Sequence, residues 1–251
     1  MTPVRPYRGV EAAARLAQRR SQLLAAGLEL LGGESTEAGD LTVRAVCKES
    51  GLAARYFYES FTDKDQFVAS VYDWVITDLA ASTQAAVNAA PLLEQTRAAM
   101  TTIVRTIAGD PRVGRLLFST ELSNEMLARK RVESSALFAM LLSRHAGDAL
   151  NLEQNDRLTA TAHFAVGGVA QTISAWLAGE VDFTPDQLAE QLRSLLDGLA
   201  GLDTQGRCRL PHPRCSARVR RWPATWSSSG TGSAVPAPLT AAGRCLVARP
   251  R

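Results

Sequence analysis

Between Leu41 and Phe67 the residues able to recognise another molecule are cationic, phenolic or hydroxylic rather than catalytic. Thr42, Arg44, Lys48, Arg55, Tyr56, Tyr58 and Lys64 alternate with the apolar Val43, Val46, Cys47, Leu52, Phe57 and Phe61. The apolar spacing suits two short helices packed across a tight turn at Gly51. Packing consumes those side chains and leaves Arg44, Lys48, Ala54, Arg55, Tyr56 and Tyr58 facing outward. A short helix that starts with small residues can enter a major groove closely, and an arginine there can reach guanine O6 and N7. Lys64 follows Asp63 at a helix start, where the helix dipole disfavours a cation unless an anion such as phosphate faces it. The plainer alternatives are that Tyr56 and Tyr58 pack on the first helix, and that Arg55 and Lys64 are solvated charges.

Other chemistries find no support. The histidines are His145, His163 and His212, and no Ser/His/Asp set can be assembled from them. No glycine-rich phosphate loop occurs. Gly167-Gly168 lies inside a helical stretch and reads as a place of close helix packing. Cys208, His212, Cys215 and Cys245 have a spacing that matches no zinc site. The expectation is a binding protein, not an enzyme, with no cofactor and no metal. Cys47 reads as a small buried residue, and a body with one cysteine fits a reducing cytoplasm. The first residues carry arginines without an apolar core and do not read as a secretory signal.

Helices must position the outward residues. Leucines at helical spacing define a first helix from about Glu11 to Leu31, stopped by Gly32-Gly33. Thr42 is a plausible N-cap for a helix to Ser50, and Gly51 a good C-terminal stop. A short helix follows over Ala54–Ser60. Asp63 and Gln66 form a capping-box signature for a longer one reaching about Ala90, with Phe67, Val71, Trp74 and Val75 on one face. Further helices are expected from Pro91 to Gly109, from Asp110-Pro111 to Ser119, from Glu121 to Arg144 and over residues 153–179. A last one starts at Thr184-Pro185 and shows Leu188, Leu192, Leu195, Leu196 and Leu199 on one face. Thr159–Gly179 carries no Asp, Glu, Lys or Arg. Its polar and small residues make it a core or subunit-interface helix rather than a membrane span, with His163 as a core histidine.

Charge divides the chain. Residues 206–251 hold nine arginines and no lysine, aspartate or glutamate, which leaves the first 205 residues at a net charge of −6. This tail lacks periodicity and is expected to be disordered. Its composition is foreign to the acidic body, as out-of-frame translation of GC-rich DNA would make it, and resequencing the coding region decides that. A second basic cluster opens the chain: Arg5, Arg8, Arg15, Arg19 and Arg20 face only Glu11. It reads either as a solvated end or as an arm following a DNA backbone.

The segment LTVRAVCKESGLAARYFYESFTDKDQF resembles the TetR family of bacterial regulators. The likeness lies in a cap and small helix, a glycine turn, an aromatic-rich second helix ending Tyr-x-x-Phe, and x-x-Lys before an apolar residue. Residues 12 to about 80 carry it. Beyond them, the succession of helices and AVGGVAQTISAWLAGE are similar to the family's dimerising half.

The resemblance implies an all-α fold. An N-terminal helix-turn-helix domain (1–65) would join a helical effector and dimerisation domain (66–203), followed by the tail (204–251). It implies a homodimeric repressor of double-stranded, pseudo-palindromic operator DNA, released by a small effector. Thr42 and Tyr58 would contact phosphates, Arg44 a base, and Ala54, Arg55 and Tyr56 base edges, with Lys64 on the backbone. Three departures stand out: the long Gly32–Asp40 loop lacks an aromatic, Ala53 replaces a Ser or Thr cap, and Cys47 stands where alanine is common.

Effector contacts are expected among Thr101, Phe118, Asn124, Phe138, His163, Phe164, Gln171 and Trp176, with an apolar or amphipathic effector. Two other functions fit the composition: a non-catalytic helical-bundle ligand carrier, and a basic architectural nucleic-acid binder using the tail.

Overall fold

The structure, a computed structural model, describes residues 8–33, 41–119, 124–150 and 155–204. The arginine-rich tail with Cys208, His212, Cys215 and Cys245, most of the Gly32–Asp40 loop, and Arg5 lie outside the described residues. So do the side chains of Arg8, Glu11 and His145. The described elements are all helical: α1 (Arg8–Gly32), α2 (Val43–Ser50), α3 (Ala54–Ser60), α4 (Lys64–Ala89), α5 (Gln95–Gly109), α6 (Pro111–Phe118), α7 (Glu125–Leu150), α8 (Asp156–Leu177) and α9 (Pro185–Thr204).

The helix ends follow local chemistry. Thr42 Oγ1 accepts the Ala45 N–H at 3.1 Å, and Gly51 ends α2 at φ 69°, a left-handed conformation that costs glycine nothing. Asp63 caps α4 by accepting the Gln66 N–H at 2.8 Å. Gln66 Oε1 returns to the Thr62 N–H at 2.6 Å, one residue further back than the capping-box pattern places it. Asp110 caps α6 with Pro111 in its first turn.

Four expectations from sequence shift. Pro91 opens a 3₁₀ turn (Leu92–Glu94) rather than the helix itself, and α5 starts at Gln95. Helix α7 starts at Glu125, because Asn124 Oδ1 caps it through the Leu127 N–H, and it runs through Gly147 instead of ending at Arg144. One interior glycine costs a helix only about 1 kcal/mol. Trp74 is 39% exposed, at the edge of an arc in which Phe67, Val68, Val71, Tyr72 and Val75 are buried. Leu195 is exposed, while Leu188 and Leu192 of the same helix are fully buried.

Two junctions position the N-terminal helices. Leu23, Leu24, Leu28 and Leu31 of α1 share a core with Phe57, Phe61, Phe67 and Val71. The three phenylalanine rings meet at centroid distances of 5.0–5.5 Å. Each buried ring contributes roughly 1.5–3 kcal/mol. Gly27 lets α1 and α4 approach, since a Cβ there would lie 2.5 Å from Val71 Cγ2. At the second junction, α6 docks on the end of α1. Arg112 Nη1 donates to Glu29 Oε2 at 2.5 Å, and Arg115 Nε donates to the Gly32 carbonyl. The far end of α6 is held by Arg131 of α7, which donates to the Leu116 carbonyl at 2.8 Å. Helix α9 packs along α5, and α8 along α7.

Candidate DNA interface

The α2–turn–α3 unit and the start of α4 form one surface. Val46 and Phe57 are 1% exposed and seal the two short helices onto α1. Thr42, Arg44, Lys48, Ala54, Arg55, Tyr58 and Lys64 are exposed. Thr42 Oγ1 is used as an acceptor in its cap, so its hydroxyl hydrogen stays available to donate to a phosphate oxygen. Tyr58 is 62% exposed while its ring packs edge-on against Phe57 at 5.4 Å, so its position is fixed and its hydroxyl can leave the protein. Arg44 sits in the first turn of α2 and Lys64 in the first turn of α4. Neither forms an ion pair among the described residues.

Ala53 makes no side-chain cap, so the start of α3 lacks that bond. It leaves the N-terminal end of α3 unobstructed by its own side chains. The Asp63 carboxyl is held below the usual carboxylate range, chiefly by the backbone N–H of Gln66. Cys47 is half-buried rather than fully buried, because only Val46 of α2 is enclosed by the core, and its partial burial pushes the thiol up, away from reactivity.

Tyr56 differs from the other outward residues. It is half-buried, with the Arg19 guanidinium carbon 4.4 Å and that of Arg55 4.6 Å from its ring centroid. Arg55 Nη2 donates to the Tyr56 hydroxyl at 2.6 Å. That bond holds the Tyr56 phenol below its ordinary range and raises Arg55.

Sequence reasoning missed what α1 does here. Arg19 and Arg20 do not form a free arm. Arg19 also faces Glu59 at 3.8 Å, and Arg20 donates to the Ser60 carbonyl at 2.7 Å with its guanidinium 4.4 Å from the Phe61 ring centroid. The available signal was their position one turn before Leu23-Leu24, at the edge of the buried face of α1.

The expected effector residues are scattered. Thr101 is half-buried on α5, Phe118 at the end of α6 and Phe138 on α7. Asn124 is occupied as the α7 cap. Trp176 is half-buried, and its Nε1 donates to the Phe183 carbonyl at 2.8 Å. His163, Phe164 (69% exposed) and Gln171 share the outward face of α8, opposite the buried Leu158, Ala162, Ala165 and Ile173. His163 is therefore a surface residue and not a core histidine. A groove of about 540 Å³ along α9, lined by Phe183, Asp186, Gln187, Glu190, Gln191 and Ser194, includes none of them. Among the described residues there is no cluster of metal ligands, and no helix is long and apolar enough to cross a membrane.

No protein-family model matches the sequence, and neither does any curated protein. Solved structures do. The fatty acid degradation regulator FadR from Bacillus halodurans aligns with a TM-score of 0.60 at 17% identity, over 71% of this chain and 97% of its own. The transcriptional regulator FadR from Bacillus subtilis, solved in complex with stearoyl-CoA, gives 0.55 at 16%, over 70% and 96%. A TetR family transcription regulator from Marinobacter aquaeolei gives 0.53 at 18%, over 74% and 97%. The chain has the fold of the TetR-type transcriptional regulators, a helix-turn-helix followed by a helical C-terminal domain.

Proposed function

We propose that this chain is a homodimeric, ligand-responsive transcriptional regulator, a cytoplasmic repressor released from a pseudo-palindromic operator by a small effector. One observation carries the reading. Thr42, Arg44, Ala54, Arg55, Tyr58 and Lys64 stand exposed on one helix-turn-helix surface, while Val46, Phe57 and Phe61 between them are packed away. Residues 1–65 hold the DNA, with Thr42, Tyr58 and Lys64 on phosphates and Arg44 and Arg55 on bases. Residues 66–203 bind the effector and the second copy.

Helix α8 favours the dimer. From Thr159 onward its outward face carries no Asp, Glu, Lys or Arg and bears an exposed Phe164. An added Cβ at Gly167 or Gly168 would meet nothing within 4 Å. Glycines with no neighbour in their own protomer suit the close approach of a second helix. Two copies present two recognition helices to successive major grooves.

The stearoyl-CoA held by one protein of the same fold supports an amphipathic effector with an apolar chain. Phe118, Phe138 and Trp176 are the best placed of the expected contacts, being half-buried on neighbouring helices. Helix α6 transmits the signal. Arg131 holds one end of it, and Arg112 and Arg115 tie the other to α1, so a shift of α6 moves α1 and the spacing of the two recognition helices.

Gel shift with the DNA upstream of the chain's own gene, at two salt concentrations and with or without an acyl-CoA, tests this. Salt-sensitive, sequence-specific binding is expected, and it persists when residues 206–251 are deleted. A folded protein that binds no such DNA overturns the proposal. Loss of all affinity with the tail points instead to an architectural binder.

A further inference from the structure

Arg55 is the outward cation nearest the start of α3, yet it is not a free, solvated chain. Its guanidinium is folded back over the next residue, with Nη2 donating to Tyr56 Oη at 2.6 Å. Tyr56 in turn cannot swing freely. Arg19 of α1 lies 4.4 Å from its ring centroid and is itself steadied by Glu59 one turn along α3. Arg20, the next residue of α1, fixes the end of α3 through the Ser60 carbonyl.

We infer that Tyr56 is a positioning residue for base recognition, pinned by Arg19 and holding the Arg55 guanidinium ready for a guanine. This rests on the reading of the chain as a DNA-binding regulator, and it assigns Tyr56 a role other than touching base edges. The donor count allows it. A guanidinium has five N–H groups, and Tyr56 takes one of the two on Nη2. Whichever hydrogen is used, one edge with two parallel donors stays open, which is what guanine O6 and N7 require. A free arginine loses rotamer entropy when it enters a groove, whereas one already tethered loses less. The phenol accepts from Arg55 and keeps its own hydrogen, so the pairing needs no ionised tyrosine.

The test compares wild type, Tyr56→Phe, Arg55→Ala and the double variant, all full-length, on a duplex that the wild type enriches from random DNA. Tyr56→Phe keeps the ring under Arg19 and removes only the hydroxyl, so its thermal midpoint stays that of the wild type. Arg55→Ala relaxes selectivity at one G·C pair by roughly five- to a hundredfold. Tyr56→Phe relaxes it at that same pair by roughly two- to tenfold, the cost of ordering one long side chain. The double variant is no less selective than Arg55→Ala alone. A second readout needs no DNA: the Tyr56 phenol, followed by its ring signals in NMR, titrates higher in Arg55→Ala than in wild type.

Equal selectivity of Tyr56→Phe and wild type, additive losses in the double variant, or a phenol unmoved by Arg55→Ala each overturn the inference. If the wild type enriches no duplex at all, the regulator reading fails and the positioning role with it. The phenol titration then still shows whether the Arg55–Tyr56 pair exists.

Discussion

Lys64 separates electrostatic anchoring from base reading. It stands in the first turn of α4, exposed, between the capping Asp63 and Asp65. A cation at this end of a helix opposes the dipole, so it weakens the free protein and is useful only against an anion. Replacing Lys64 by alanine should therefore move two quantities in opposite directions. The thermal midpoint rises by roughly one to three degrees, from removal of the unfavourable dipole contact. DNA affinity falls, and so does its dependence on salt. Each phosphate neutralised contributes about 0.9 to the logarithmic salt slope, so two copies in a dimer contribute about 1.8. Between roughly 50 and 200 mM salt, the wild type then loses about twelvefold more affinity than Lys64→Ala. Fluorescence anisotropy on one labelled duplex across that range measures the slope, and Lys64→Arg should retain it. The loss should be the same on cognate and scrambled duplexes, because a phosphate carries no sequence. An unchanged slope in a dimeric, folded Lys64→Ala protein refutes the phosphate contact.

Three further outcomes are expected. Gly51→Ala places a side chain at φ 69°, and since no atom lies near its Cβ the cost is backbone strain alone, about 1–2 kcal/mol by urea denaturation; Gly51→Asn, which tolerates that region, costs less. Phe164→Glu leaves the protomer folded, because the ring is exposed in it, but weakens dimerisation by roughly two to four orders of magnitude for two rings lost per dimer, as sedimentation equilibrium would show. Asp63 has a folded-state pKa depressed by the Gln66 N–H. Its stabilising contribution is present above the unfolded value of about 4 and is lost as pH falls through the lower folded value. Asp63→Asn keeps a cap acceptor without the charge, so its stability profile should be flatter over that acid range by circular dichroism.

The helix-turn-helix was legible in the chain because its determinants are local. Thr42 as cap, Gly51 as left-handed stop and Asp63 with Gln66 at the head of α4 each act over at most four residues. The alternation of apolar and outward residues followed from helical period alone. What failed also has a local cause. Pro91 marks a start without saying whether a 3₁₀ or an α turn follows. A lone glycine such as Gly147 weakens a helix by too little to end it.

Contacts between distant segments were beyond reach. Nothing in the order of residues says that Arg19 lies over Tyr56 or that Arg112 meets Glu29, because long flexible cations can solvate, pair or stack with equal local cost. Only the packing of α1 on α3 and α6 chooses among those states. The same holds for α8. The charge-free stretch Thr159–Gly179 announced a core or subunit-interface helix without saying which face is which; the fold buries Leu158, Ala162, Ala165 and Ile173 and turns His163, Phe164 and Gln171 outward. The sequence by itself determined most of the residues that stay outward on the two short helices and how each helix begins and ends, since those depend on nearest neighbours. Tertiary structure alone decided which arginines brace the recognition helix and which face of α8 stays open, since those depend on what the rest of the chain brings alongside.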